Sequence, residues 1–204
     1  MTTITFASLN SRDPFCRRPF YSIQHTATVR WRKPEPPMIR YVPQTPLPPY
    51  SYVPGMHVHP LSHPDGHSYQ MHPPPIETPV ELRTCESFLW GIDLFNAGYY
   101  WEAHEAWEAV WQALGRAGER ADAIKGLIKL AAAGVKAREA APIGVARHAA
   151  RALELLSAAD ESILPIRLSK IRQLAADVSA HADAYLNREA APVRRIFAVA
   201  ITTA

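Results

Sequence analysis

The sequence predicts an all-α fold, a compact bundle of about five helices preceded by an extended proline-rich arm. Two observations carry this prediction. Fourteen of the 19 prolines fall between Pro34 and Pro79, and each one removes an amide donor and biases the preceding residue toward extended backbone. Beyond Pro79 the chain becomes rich in alanine, and apolar residues recur at helical spacing. Short connections between the helical segments favour antiparallel neighbours in a bundle.

Five helices are predicted from the apolar spacing and from residues that commonly end helices. They cover approximately residues 80–96, 99–114, 120–139, 142–158 and 166–187. Gly98 and Gly115 follow the first two helices, where glycine often supplies the C-terminal cap. Pro142 separates the third helix from the fourth, because proline cannot continue a helix. Gly126 and Gly134 lie inside the third helix and would let a neighbouring helix approach closely.

The same composition divides the chain into four segments. They are an N-terminal extension over residues 1–37, the arm over 38–79, the helical domain over 80–190 and a C-terminal tail over 191–204. The extension carries six basic residues against two acidic ones. We expect it to be disordered or to precede the natural start, for which Met38 is the candidate.

Charge, cysteine content and hydropathy exclude several classes of protein. The formal net charge of +3 comes from the extension, so the remainder is close to neutral and does not predict a nucleic-acid partner. Cys16 and Cys85 lie far apart in the sequence and form neither a disulfide framework nor a zinc motif. No apolar run approaches the length of a membrane span. We therefore expect a cytoplasmic protein without a nucleic-acid or membrane partner.

The helix predicted over residues 99–114 holds one histidine among three glutamates and three tryptophans. With about 100° of rotation per residue, one arc of the helix is apolar and should face the core. That arc contains Tyr100, Ala103, Trp107, Val110, Trp111 and Leu114. His104 falls at its edge, and Glu108 follows one turn later on the same side. Glu102, Ala106 and Ala109 are predicted to face solvent.

This arrangement has two interpretations. A carboxylate one turn from an imidazole can fix the tautomer of the ring and raise its pKa, or both groups can ligate one metal ion. The same pair can also be purely structural, and tryptophans are more often core residues than ligand platforms. The functional interpretation assigns acid–base or catalytic roles to His104, Glu105 and Glu108. It makes His104 and Glu108 the ligands of a divalent metal, and it places a small ligand against Trp101, Trp111, Asn96 and Lys129.

Other parts of the chain offer further polar groups for this site. Lys125 and Lys129 stand one turn apart in the third helix, and their side chains are predicted to reach Glu105 or Glu108. The arm holds five of the nine histidines, one of which would complete the site if the arm folds over the bundle. These are His57, His59, His63, His67 and His72. A polar arm that does not contact the bundle is the alternative.

Two segments together resemble a known prokaryotic family, the domain of unknown function 309 (DUF309). They are "LFNAGYYWEAHEAWEAVW" and "KGLIKLAAAGVKAR", and the similarity extends over about residues 94–156. It implies a small all-α fold of packed helices and no established activity. Family members commonly have glutamine in place of Lys125 and Lys129. The resemblance draws attention to Asn96, Gly98, Glu102, His104, Glu105, Trp107, Glu108, Trp111, Gly126 and Leu127.

Two hypotheses of function follow from these observations. In the first, a polar pocket around His104, Glu105 and Glu108 binds a small ligand or a divalent metal and supports a hydrolytic or proton-transfer step. In the second, the protein is not an enzyme. The tryptophan-rich helix and the proline-rich arm then form a surface for a protein partner or for a second copy of the chain.

Overall fold

The computed structural model describes residues 39–71 and 75–204, and within these ranges the fold is all-α, as predicted. The predicted extension over residues 1–37 and His72 lie outside the described residues, and the predicted segment boundaries stay predictions. The five helices are α1 (Glu86–Ala97), α2 (Tyr100–Ala113), α3 (Glu119–Arg138), α4 (Pro142–Ser157) and α5 (Leu168–Ala180). Each helix packs mainly on its neighbours in sequence, and the α3–α4 contact is the most extensive.

Two of the predicted helices are shorter than expected. The first begins at Glu86 rather than near Val80, because Leu82–Thr84 form a separate 3₁₀ turn and Cys85 is extended. The last begins at Leu168 rather than Ile166, since Ile166 is drawn into an isolated β-bridge with Thr203. It ends at Ala180, and a second 3₁₀ turn, Ala182–Tyr185, replaces its predicted last turns.

Glycines set the distances between the helices. Gly98 caps α1 in the left-handed region, with φ of 93°, as predicted. A β-carbon on Gly134 of α3 would lie 2.5 Å from the ring of Tyr100 in α2, and one on Gly126 would lie 2.7 Å from Leu156 in α4. These two glycines therefore permit the close helix approach that the sequence predicts for them. Gly91 of α1 plays the same part against the indole of Trp107.

The C-terminal tail, residues 191–204, completes the core instead of forming a strand within a sheet. Phe197 and Ile201 are buried, and the ring of Phe197 lies against Phe95 and Tyr100. Asn96 binds both the amide and the carbonyl of Ile201, at 2.7 and 2.8 Å. The tail therefore covers the junction between α1 and α2 and holds it from one side.

The arm, described over residues 39–71 and 75–79, also lies on α1 and α2. Its Val42 and Val53 side chains are buried, and the hydroxyl of Tyr99 donates a hydrogen bond to the carbonyl of Pro48. The amide of Ser51 donates to the carbonyl of Pro192, which connects the arm to the tail. None of the described helices has both the length and the apolar character to cross a membrane.

Candidate functional site

His104 and Glu108 lie side by side on α2. The Nε2 atom of His104 is 3.4 Å from an Oε atom of Glu108, and the two side chains are 29% and 37% exposed. Tyr100, Ala103, Trp107 and Val110 are buried beneath them, so the helical rotation places the pair at the margin of the core. This half-buried position lets both groups reach a ligand while their charges are partly shielded from water.

Glu105 brings a third donor to the same place. One ligand atom each from His104, Glu105 and Glu108 fall within 4.8 Å of one another. Two donors that share one zinc ion, each at about 2.1 Å, cannot be more than about 4.2 Å apart. Side-chain rotations that bring the three ligand atoms closer together would therefore be needed for them to share an ion.

The electrostatics of this cluster favour a neutral imidazole and raise the pKa of one carboxyl to near neutrality. Burial raises the pKa of Glu105 to about 7, and the charges of Glu108 and Glu102 act in the same direction. Burial also lowers the pKa of His104, where the charge of Glu108 opposes this effect and that of Lys129 adds to it. In the described part of the chain no cation forms an ion pair with Glu105.

A groove of about 1200 Å³ runs beside the cluster, between the arm and helices α1 and α2. Glu105 and Glu108 are part of its wall, whereas His104 is not. Most of the remaining wall is apolar, with Trp90 and Leu94 from α1 and Ala106 and Ala109 from α2. The cluster therefore lies on α2 with two of its three donors facing a mostly apolar groove.

The part of the chain that carries the His104 cluster matches a known protein family. Residues 88–148 match the family model described as Domain of unknown function (DUF309). The matched residues, called the DUF309 domain below, are fewer than half of the chain's 204. The match confirms the family that the sequence resembles. No curated protein and no solved structure matched the chain. The DUF309 domain contains α2 and α3 entire, together with the whole His104 cluster, and it excludes the arm and the tail.

Glu102 corrects one prediction about the DUF309 domain. It was expected to face solvent, but it is only 7% exposed. Its carboxylate accepts hydrogen bonds from the Ser51 hydroxyl at 2.9 Å and the Tyr52 amide at 2.8 Å, and it lies 3.3 Å from Nε2 of His67. The helical rotation was correct. The prediction failed because the arm covers this face of α2.

A second buried carboxylate, Asp93 of α1, was not predicted at all. It is fully buried and accepts hydrogen bonds from the backbone amides of Tyr41 and Val42 and from the guanidinium of Arg40. Asp93 falls at a core position of an amphipathic helix, and an acid at such a position is the sequence signal that identifies an anchor. Asp93 and Glu102 thus fix the arm to the DUF309 domain at two points.

The four residues predicted to bind a ligand have different surroundings. Trp101 lines the groove and meets the rings of Tyr52 and His59 from the arm. The indole nitrogen of Trp111 is buried and has no hydrogen-bond partner among the described residues. Both polar atoms of Asn96 are occupied by Ile201, so its amide serves the tail. Lys129 acts electrostatically on His104 from α3.

The predicted lysine–glutamate ion pairs do not form in the part of the chain that the structure describes. Lys125 instead lies 5.4 Å from the centre of the Trp111 ring. Its stem follows the apolar surface, and the ammonium group meets an aromatic face rather than a carboxylate. The arm does fold over the bundle, but among its described histidines His67 reaches Glu102 and His59 lies against Trp101. No hydrogen bond joins a described arm histidine to His104.

Proposed function

We propose that the His104–Glu105–Glu108 cluster binds a divalent transition-metal ion, and that the groove beside it binds a small ligand. The observation that carries this proposal is the convergence of three donor atoms within 4.8 Å of one another on one helix. Three protein donors leave at least one coordination position for water or a ligand, which is the arrangement of catalytic rather than structural zinc sites.

The donor set suits such an ion chemically. An imidazole with two carboxylates is a common set for zinc and related transition metals, and calcium and magnesium rarely use a histidine. Two carboxylates of the same helix repel each other across a partly desolvated space. A dication between them removes that repulsion, and no described side chain supplies this charge to Glu105.

The predicted hydrolytic chemistry belongs to this proposal. A bound divalent ion lowers the pKa of a coordinated water toward neutrality and polarises a substrate carbonyl or phosphoryl oxygen. The chain's own part is to hold the ion at the groove wall, to orient the imidazole through its neighbouring carboxylate and to exclude water with Trp90 and Trp101. Hydrolysis of a specific substrate stays a prediction.

The alternative, a protein-binding or homodimerising module, needs the arm to be available to a partner. Several contacts argue against that availability. The arm's backbone is anchored on Asp93 and Glu102, and Thr203 of the tail donates to the hydroxyl of Tyr41. These buried polar contacts stabilise the arm on its own chain. They support metal and ligand binding as the better of the two functions.

Isothermal titration of the chelator-treated protein with Zn²⁺ and Mn²⁺ tests the proposal. We expect one ion per chain, and we expect His104→Gln and Glu108→Gln each to weaken binding at least tenfold, as loss of a ligand should. His181 and Asp177 offer a matched control, because they also form an i, i+4 pair, at 2.8 Å, at the exposed C-terminal end of α5, where His181 follows the last helical residue.

His181→Gln should leave the affinity for zinc unchanged. Circular dichroism and thermal unfolding of every variant establish that the fold is retained. The proposal is wrong if the wild-type protein binds neither ion. It is equally wrong if His181→Gln weakens binding as much as His104→Gln does, because the ion would then bind to exposed histidines in general.

A further inference from the structure

The position of the cluster relative to the groove determines from which side a ligand would reach a bound ion. On the helical projection His104, Glu108 and Glu105 lie at about 40°, 80° and 140° from Tyr100. The groove extends from Glu108 around the outer side of α2 to Ala106 and Ala113. His104 would therefore hold an ion from the core side, and Glu105 and Glu108 would hold it from the groove wall. A ligand lying in the groove would then be next to the ion.

The walls of the groove predict the body of its ligand. Leu61 and Met71 from the arm, Trp90 from α1 and the α2 alanines offer an apolar surface that continues away from the cluster. Burial of aliphatic or aromatic carbon against such a surface removes apolar area from water and favours binding. A purely polar ligand would leave this surface unused.

The charges predict the head group. Two carboxylates neutralise a divalent ion, and Lys129 then contributes an additional positive charge near His104. Lys129 forms no ion pair or hydrogen bond within residues 39–71 and 75–204, although its charge acts on both His104 and His148. Two further charges line the groove, the carboxylate of Glu102 and the guanidinium of Arg116, and they offset each other. The loaded site is therefore positive and attracts an anion. Without the ion, Glu105 and Glu108 present negative charge to the groove and repel one.

We propose that the groove binds a monocarboxylic acid with an aliphatic or aromatic body. Its carboxylate would coordinate the ion held by His104, Glu105 and Glu108, and its body would lie along Trp90 and the alanines of α2. This inference rests on the proposed function, since the head group binds through the metal. It adds the chemical class of the ligand, and it makes carboxylate binding conditional on the ion.

Calorimetric titration with octanoate, in a protein carrying one equivalent of zinc and in the chelator-treated protein, tests the inference. We expect octanoate to bind the zinc form at least tenfold more tightly than the metal-free form. Octylamine has the same body with a cationic head, and we expect it to bind the zinc form at least tenfold more weakly than octanoate does.

A variant that fills the groove without touching the cluster separates the two proposals. Ala113 also lines the groove and lies more than one turn beyond Glu108, so Ala113→Phe should keep zinc binding and lose octanoate binding. Zinc binding without octanoate binding would overturn this inference and leave the metal site standing. Equal octanoate binding with and without zinc, or tighter binding of octylamine, would also overturn it. Failure to bind zinc would overturn the proposed function itself.

Discussion

Glu105 shows how a single side chain carries the electrostatic character of the site. Its neighbours on α2 are two further glutamates, one turn ahead and one turn behind, and burial removes much of the water that would screen them. The carboxyl therefore keeps its proton until about pH 7 in the folded protein, whereas in the unfolded chain it loses the proton near its ordinary value of 4.5.

This difference predicts a pH-dependent effect of Glu105→Gln on stability. Between pH 4.5 and 7 the folded state binds more protons at this position than the unfolded state, so the residue's contribution to stability falls as pH rises. Glutamine does not titrate, so Glu105→Gln removes this decrease in stability with rising pH. We expect the variant to match the metal-free wild type near pH 4.5 and to exceed it by about 1 kcal/mol at pH 8, after discounting for solvent screening.

Urea unfolding of both proteins at several pH values measures this difference. Glu154→Gln serves as the control, because Glu154 is an exposed residue paired with Arg151. Its effect should not grow between pH 4.5 and 8. A flat profile for Glu105→Gln would contradict the assigned electrostatics of the cluster.

Residues also show what the sequence could and could not predict. The helical rotation places His104 beside Glu108 because both belong to one helix, whose geometry is local. The same rotation assigned Glu102 to solvent, since the position of the arm depends on contacts between residues about 50 apart in the chain. Periodicity identifies the face that meets the nearest helix. It does not show that a second segment covers the opposite face.

At the scale of the elements, α2 and α3 depend on a glycine at their contact. A β-carbon on Gly134 would fall 2.5 Å from the Tyr100 ring, which is buried and whose hydroxyl accepts the amides of Ile196 and Phe197. The ring cannot move without breaking those bonds. We expect Gly134→Ala to lower the free energy of unfolding by about 1–3 kcal/mol, the usual cost of overpacking.

Gly144→Ala is the matched control for this prediction. Its β-carbon would lie 2.9 Å from Cγ of Lys136, a half-exposed side chain that pairs with Glu139 and can shift toward solvent more easily than the buried Tyr100 ring. Helix propensity favours alanine over glycine by up to about 1 kcal/mol, so this variant should be neutral or more stable. Chemical denaturation of both variants measures their free energies of unfolding. A Gly134→Ala protein that is as stable as Gly144→Ala, or more stable than the wild type, would contradict the close contact.

The arm is an element without regular structure that depends on buried carboxylates. Asp93→Asn keeps the shape of the side chain but removes its charge, and it directs an amide group toward donors from Arg40, Tyr41 and Val42. Charge-assisted hydrogen bonds of this kind contribute about 1.5–3 kcal/mol. We expect a loss of about 2 kcal/mol in stability and faster amide exchange at Tyr41 and Val42.

Hydrogen exchange measured by mass spectrometry distinguishes this effect from general destabilisation. The amides of α4 should exchange no faster than the overall loss of stability requires, whereas those of the arm should exchange earlier. Asp183→Asn, at an exposed position in the second 3₁₀ turn, is the control and should change neither quantity. Unchanged protection of the arm in Asp93→Asn would show that Asp93 does not anchor it.

For the described part of the molecule as a whole, the five-helix bundle followed from the sequence because amphipathic periodicity and helix-ending residues are local signals. The first helix was predicted too long, since a 3₁₀ turn and an α-helical turn share the same composition. Folding of the arm over the bundle was one of two alternatives from the sequence, but the positions of the arm and the tail on α1 and α2 could not be predicted. Proline-rich and short extended segments gain their positions only from tertiary hydrogen bonds.

Metal binding should be visible in the stability of the whole fold. An ion that binds only the folded chain raises the free energy of unfolding by about 2.7 kcal/mol at 100 times its dissociation constant. We expect zinc to raise the melting temperature of the wild type and not that of His104→Gln, in scanning calorimetry of both proteins. His181→Gln should respond like the wild type. An identical response in all three would place the ion elsewhere.

The tail's attachment has a consequence for how its length can vary. Asn96 at the end of α1 accepts a hydrogen bond from the amide of Ile201. The hydroxyl of Tyr100 at the start of α2 accepts hydrogen bonds from the amides of Ile196 and Phe197. Asn96 and Tyr100 are both held in place by the turn at Gly98, where a β-carbon would lie 2.7 Å from the backbone of Arg194. Asn96 and Tyr100 bind backbone groups, so the number of residues between 197 and 201 matters more for the attachment of the tail than the identity of the side chains between them. Deletion of one residue there would leave either Asn96 or Tyr100 without its backbone hydrogen bonds, whereas substitution of Ala198 or Ala200 would not.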